Sequence, residues 1–301
     1  IAALNPDGTH PPYRVFDPCI WKKGDTYYAL SGGQLPTGPA GKGVRANFLF
    51  KSNDLANWEY LHPFVEDDRL SLVGDDGACP YFWPIGDRYI LAFFSHMSGG
   101  QYLLGDYDTD RDKFVVTNHG KFNFGSYSPA GIHAPSAAPD GDGVIVIFNM
   151  NDAKPCPGWN QIMSLPRKLT MRSHDEIAQE PAGDIESLRG EHRHVGKTLL
   201  PANEEVVLEG IAGSAMEITA TIAAKELPMV EMNVLRSPGR EEFTRISFFR
   251  ERGYHNRGHR EGGRQSLISI DTAYSSLGAD VMSRAPETAP VDIEPDEDVT
   301  L

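Results

Sequence analysis

The apolar positions of the chain fall into short runs that return along its first half. Tyr27-Tyr28-Ala29-Leu30, Tyr89-Ile90-Leu91-Ala92-Phe93-Phe94 and Val144-Ile145-Val146-Ile147-Phe148 are near-continuous apolar and aromatic stretches. Such runs are the mark of strands covered on both faces. Each follows the same prelude. Asp17-Pro18-Cys19-Ile20-Trp21-Lys22-Lys23-Gly24-Asp25 reappears as Cys79-Pro80-Tyr81-Phe82-Trp83-Pro84-Ile85-Gly86-Asp87, and more loosely as Ala134-Pro135-Ser136-Ala137-Ala138-Pro139-Asp140-Gly141-Asp142. The pattern predicts one β-hairpin written three times, spaced by roughly 55 to 60 residues, as in an array of similar units.

After each hairpin the pattern predicts two more strands. Asn47–Ser52 leads into Asn53–Glu59, Gln101–Asp106 into Lys113–Val116, and Trp159–Ser164 into Leu165–Met171. Four short strands per unit is the blade of a β-propeller. The rhythm breaks between Asp175 and Asn203. Beyond it, Glu205–Leu208, Ala215–Ile222, Met229–Leu235 and Thr244–Phe249 alternate apolar with polar residues, as strands with one wet face do. The expectation is an all-β chain: a β-propeller domain over residues 1–200, a boundary near 198–204, and part of a β-sandwich over 204–301.

Composition narrows the partners. Among 301 residues, 30 are Gly and 22 Pro, which suits a turn-rich β protein. A net charge of −14 argues against a nucleic-acid backbone as partner. There is no apolar run of membrane-spanning length and no signal peptide. The start on Ile1, and the end on Asp298-Val299-Thr300-Leu301, which reads as an opening strand, give the sequence the look of a fragment. Cys19, Cys79 and Cys156 match no zinc spacing and form no closed disulfide set, and the first two read as small apolar side chains. No metal site is expected. Asp106-Tyr107-Asp108-Thr109-Asp110-Arg111-Asp112 alternates carboxylates but lacks the closing residues of a calcium loop, so an outer blade turn is preferred. The basic, Gly-rich stretch His255–Arg264 reads as a solvated hairpin tip rather than an anion site.

The candidate chemistry sits at the heads of the repeated strands. In a propeller the innermost strands line the central channel and open on one rim. Asp17 stands at the head of such a strand, directly before Pro18. A carboxylate is costly to bury without partners, so its place there suggests function; a turn-capping Asp-Pro is the plain alternative. His96 and His133 lie near strand ends, where each either contacts sugar hydroxyls or serves structure. Trp21, Trp83 and Trp159 are candidates for stacking on sugars, but the first two hold equivalent repeat positions, which favours core packing.

Three stretches carry a resemblance: Tyr13-Arg14-Val15-Phe16-Asp17-Pro18, Gly77-Ala78-Cys79-Pro80, and Gly158-Trp159 through Leu165-Pro166-Arg167-Lys168-Leu169-Thr170. Together they resemble glycoside hydrolase family 32, the β-fructofuranosidases: invertases, inulinases, levanases and fructosyltransferases. The resemblance covers most of residues 13 to 250. It implies a five-bladed β-propeller followed by a β-sandwich, and hydrolysis of sucrose or fructans by a retaining, two-carboxylate mechanism that needs no cofactor. It further implies that Asp17 is the carboxylate that stabilises the transition state and holds fructose hydroxyls. Tyr13 and Arg14 would shape the pocket, with His96 and His133 as further substrate contacts.

The departures from the family pattern are as informative. The Arg expected before Asp17 is Phe16. Asn5-Pro6-Asp7-Gly8 is only a faint echo of the segment that carries the nucleophile, and lies too close to Asp17 for a separate blade. The nucleophile's blade is therefore expected to be missing from this chain. The acid/base Glu expected before Cys79-Pro80 is Ala78, which carries no proton; Asp75 and Asp76 are the nearest replacements. Three alternatives stay open: a non-catalytic carbohydrate-binding relative, a related five-bladed hydrolase of arabinan or xylan, and a protein-interaction propeller.

Overall fold

The computed structural model describes residues 7–125, 128, 131–151, 154, 156–223, 227–254, 264–294 and 297–301. The His255–Arg264 loop, but for Arg264, and Asn5-Pro6 lie outside them. The chain divides into two compact units, residues 1–182 with 280–284, and residues 183–279 with 285–301. Among the described residues no helix is long and apolar enough to cross a membrane.

The first unit contains three antiparallel meanders. The first joins β1 (Cys19–Lys23), β2 (Thr26–Ser31), β5 (Phe48–Ser52) and β6 (Glu59–Pro63); a small side hairpin of β3 (Gln34–Leu35) and β4 (Val44–Arg45) interrupts it. The second runs β7 (Ala78–Ile85), β8 (Arg88–Ser95), β9 (Gly99–Asp108), β10 (Lys113–Lys121). The third runs β11 (Ile132–Asp140), β12 (Gly143–Met150), β14 (Arg167–Ser173), β15 (Glu176–Pro181), with β13 (Ile162–Met163) also paired to β12. These are three propeller-type blades, each with its strands in sequence order.

The repeated Gly-Asp pairs are the hairpin turns. Lys23 pairs with Thr26, Ile85 with Arg88 and Asp140 with Gly143, so each turn has two central residues. Gly24, Gly86 and Gly141 hold φ of +60°, +56° and +63°. A glycine in the left-handed region at the first central position matches the twist of the strands it joins.

The blades pack through the side chains that the apolar runs supply. Leu30, Leu49, Phe64, Phe82, Leu91, Phe93, Leu103 and Phe114 form one buried cluster shared by the first two blades. Ile85, Ile90, Leu104, Val144, Val146, Phe148 and Leu169 form another, shared by the second and third. Trp21 packs against Tyr28, Phe64 and Phe82, and Trp83 donates its indole N–H to the carbonyl of Ala137 at 3.1 Å. Both indoles are thus held within the packing between blades, as their equivalent repeat positions suggest.

Two outer turns are polar. The strand expected over Asn53–Glu59 begins only at Glu59, because Asp54 stabilises a turn: its carboxylate accepts from the backbone N–H of Ala56 and Asn57 and from the Asn57 amide. These short side-chain bonds compete with strand pairing. The Asp106–Asp112 run forms the β9–β10 turn. There Asp108 accepts from the N–H of Asp110 and Arg111, and Arg111 forms a two-point pair with Glu66. Asp112 bonds to Lys23 and Tyr107 and, at 3.2 Å, accepts from Tyr28, tying the second blade to the first.

The second unit has a four-stranded antiparallel sheet, β17 (Met229–Val234), β18 (Thr244–Phe249), β19 (Ser266–Asp271) and β20 (Glu287–Val291). A two-stranded sheet joins β16 (Thr221–Ile222) to β21 (Val299–Thr300). Phe248 and Val299 are buried with Ile222, Val230, Val291 and Leu301 between them, which is the apolar filling of a β-sandwich. The strand expected at Glu205–Leu208, and most of that at Ala215–Ile222, are irregular. Val207, Leu208, Met216 and Ile218 are exposed. Alternation gives a strand one apolar face, but a strand also needs a neighbour to pair with; among the described residues the second segment pairs only at its end, Ala220–Ile222 against Val299–Leu301, and the first is in no sheet.

Candidate active site

The three repeats share a second backbone feature at their heads. Asp17, Cys79 and Ala134 occupy the same repeat position, seven residues before the turn glycine, and hold φ of +43°, +47° and +43°. Each precedes a proline, which disfavours the right-handed helical region. In β7 and β11 the strand register shifts across these residues, between Ala78 and Tyr81 and between His133 and Pro135. The kink is a β-bulge, a device that re-aims side chains where strands end. A left-handed non-glycine residue costs on the order of 1 kcal/mol, so its threefold recurrence marks a position the fold holds deliberately.

Asp17 and Cys79 meet there. The Cys79 thiol lies 3.6 Å from Oδ2 of Asp17 and donates to it. Burial pushes the Cys79 thiol up to about 12, helped by the charge of Asp17, by that hydrogen bond and by the charge of Asp76. At neutral pH it is a neutral donor facing a carboxylate. Cys79 is therefore more than the small apolar filler expected of it, whereas Cys19 is buried as anticipated.

The loop before β7 is fastened to the first blade through its backbone. Gly33 N–H donates to the carbonyl of Asp76 at 2.7 Å, and the Gln34 amide to that of Gly74 at 2.7 Å. Gly32 lies so close that a β-carbon there would stand 2.3 Å from the carbonyl oxygen of Gly77. Within this loop the two candidate carboxylates have separate surroundings. Asp75 is fully buried and accepts from Ser95 Oγ at 2.6 Å, Ser98 Oγ at 2.7 Å and the N–H of Leu72 at 2.9 Å. It holds the loop together. Asp76 turns to the rim, where its Oδ2 lies 2.6 Å from Nδ1 of His96.

The His96 ring continues the cluster. It stacks obliquely on Phe94 at 4.5 Å between centroids, and Phe94 in turn meets His133 edge-on at 4.5 Å. The two imidazoles are 6.4 Å apart. Burial, and then the neighbouring His96, lower His133 below the usual histidine value, so it is neutral near pH 7. Its Nδ1 lies 3.2 Å from the Asn149 amide. Two sets of contacts thus join the blades: Asp17 with Cys79 between the first and second, and Asp76, His96, Phe94 and His133 from the loop before β7 to the third.

The remaining expected residues lie apart from these contacts. Tyr13 packs its ring against Phe50 at 5.1 Å and Tyr60 at 4.9 Å, on the outer strands of the first blade. Arg14 and Phe16 are exposed, and the Phe16 N–H donates to Ser31 Oγ at 2.7 Å. Trp159 is 59% exposed. The sequence reading missed Cys79 as a site residue, although its alignment with Asp17 in the repeat was the signal for it. Among the described residues, no group of three or more His, Cys, Asp or Glu side chains is placed to hold a metal ion.

Four-stranded meander blades whose inner strands head a shared polar cluster, followed by a sandwich, define the propeller-plus-sandwich class. The sequence profile described as the glycosyl hydrolases family 32 N-terminal domain matches residues 3–181. The chain belongs to this family. It is 24% identical over 211 residues to an insoluble β-fructofuranosidase isoenzyme of Daucus carota, covering 61% of this chain and 35% of that protein. It is 26% identical over 193 residues to a sucrose-6-phosphate hydrolase of Vibrio alginolyticus, covering 58% of this chain and 38% of that protein. The chain spans about a third of the length of the curated relatives it matches. Among solved structures, fructan 1-exohydrolase IIa from Cichorium intybus has a TM-score of 0.71 at 19% identity, covering 93% of this chain and 60% of that one. Sucrose-6-phosphate hydrolase from Lactobacillus gasseri has a TM-score of 0.64 at 17% identity, covering 99% and 61%. At these identities the structural likeness concerns the fold.

Proposed function

We propose that the protein containing this chain hydrolyses β-fructofuranosides, sucrose or a fructan, by a retaining mechanism with Asp17 as the residue that grips the fructosyl unit. The observation that carries this reading is the placement of Asp17. Its carboxylate stands exposed just ahead of the innermost strand of the first blade, on a left-handed residue, and accepts from the Cys79 thiol of the next blade. A carboxylate so placed can accept hydrogen bonds from two sugar hydroxyls and offset the positive charge that develops on the ring carbon.

The acid/base function that Ala78 does not supply comes, in this reading, from the loop before β7, through Asp76 and the group bonded to it. The nucleophilic carboxylate is the one the family resemblance places in a different blade. The names of the relatives support the substrate class: fructofuranosidase, levanase and sucrose-6-phosphate hydrolase.

Ala78 favours a second reading, a carbohydrate-binding relative without turnover. Incubating the full-length protein with sucrose, inulin and levan separates the two. Release of fructose supports hydrolysis. Saturable binding without release supports the second reading, and release of arabinose or xylose from plant polysaccharides contradicts both.

A further inference from the structure

We infer that the proton for the leaving group is carried by His96, with Asp76 as the residue that positions it. This rests on the reading of the site as a fructosidase. Asp76 Oδ2 lies 2.6 Å from Nδ1 of His96; in the proposed arrangement the ring donates its Nδ1–H to the carboxylate. The His96 backbone N–H also points to Oδ1 of the same carboxylate, at a longer 3.4 Å. Asp76 thereby orients the ring, holding its Nδ1 edge toward the loop. Its own backbone is anchored by Gly33. With Nδ1 engaged by Asp76, proton transfer in this arrangement runs through Nε2, and the His96 side chain is 55% exposed at the rim.

In the first half-reaction the imidazolium gives the proton on Nε2 to the glycosidic oxygen. The bond from that oxygen to the anomeric carbon breaks, its electron pair stays on the oxygen, and the nucleophilic carboxylate takes the carbon. In the second half the neutral ring takes a proton from water as the water oxygen bonds to the carbon and the carboxylate leaves. The charged and titratable groups facing His96 are Asp76 from the loop and His133 from β11. Burial makes Asp75 a worse candidate, since its oxygens already accept from three donors.

The test compares sucrose with p-nitrophenyl β-D-fructofuranoside in the full-length protein. The nitrophenolate leaves without protonation, so loss of an acid spares it. The readout is the ratio of kcat/KM on the two substrates, which does not depend on the fraction of protein folded. His96→Asn is expected to lower the sucrose-to-aryl ratio about a hundred-fold, and Asp76→Asn to lower it by about ten-fold. An unchanged ratio in His96→Asn overturns the inference. So does a ratio that falls in Asp76→Asn but holds in His96→Asn, because the acid is then the carboxyl itself. If the unaltered protein cleaves neither substrate, the fructosidase reading fails with it, an outcome distinct from either ratio.

Discussion

The Cys79 thiol donates to the Asp17 carboxylate at 3.6 Å, across 62 positions of sequence. The two residues stand at the same place in successive copies of one hairpin. Both hold the same backbone conformation, left-handed and followed by proline. One copy supplies an anion and the next a neutral donor, so a repeat that arose as architecture becomes a polar site.

That relationship predicts an inert thiol. With its pKa pushed up to about 12, Cys79 is to react with iodoacetamide at pH 8 on the order of a thousand-fold more slowly than an unperturbed cysteine. Asp17→Asn removes the charge while keeping an acceptor oxygen beside the thiol, and is expected to speed the reaction about ten-fold. Peptide mapping of the alkylated protein reads both rates. A Cys79 that alkylates as fast as a small thiol contradicts the geometry.

The clamp between the first two blades predicts an acid-sensitive stability. Burial works against the Asp112 charge, but hydrogen bonds from Lys23 and Tyr107 and the charge of Lys23 outweigh it, so the carboxyl sits below its usual range. Burial likewise opposes the Lys23 charge, and Asp112 outweighs it, raising Lys23. A depressed carboxylate contributes stability above its unfolded pKa, about 3.9, and loses it as pH falls through the folded value. The raised lysine contributes below its unfolded value and loses that contribution only at strongly alkaline pH. Asp112→Asn is therefore expected to destabilise the first unit by about 2 kcal/mol at pH 7. The difference in Tm from the unaltered protein shrinks below pH ~4. A difference that does not change with pH contradicts the ion-pair account.

Gly32 predicts how closely the site loop must approach. A methyl group there would meet the Gly77 carbonyl oxygen at 2.3 Å. Gly32→Ala is expected to cost about 2 kcal/mol of stability and to shift the loop bearing Asp76. The NMR signal of the His96 ring, which is bonded to Asp76, should move with it. A variant with unaltered stability and an unmoved His96 signal contradicts the packing.

Much of this was legible in the sequence because the three hairpins repeat the same local requirements. A glycine at the first turn position, a proline after the bulge and an apolar run fix the blade regardless of what surrounds it. The second unit was less legible, because period-2 alternation at Glu205–Leu208 and Ala215–Ile222 marks a face and says nothing about a partner strand. Turn chemistry at Asp54 overrode the strand expected there. At the site, Asp17, Asp76, His96 and His133 were marked by position and residue type. What sequence did not show is that neighbouring Asp75 and Asp76 face opposite ways, one into a serine-lined interior and one to the rim. Nor did it show that Tyr13 turns to the outer strands. Those are matters of side-chain direction set by long-range anchors such as Gly33 and Gln34.

The most direct test is turnover by the full-length protein with and without the Asp17 carboxylate. Fructose release from sucrose is measured for the unaltered protein and for Asp17→Asn, which keeps size and hydrogen-bonding capacity but removes the charge. The account predicts fructose release that falls at least a hundred-fold in the variant, with the blades still folded by circular dichroism. Turnover that survives the substitution unchanged would make Asp17 a turn residue and contradict the site described here.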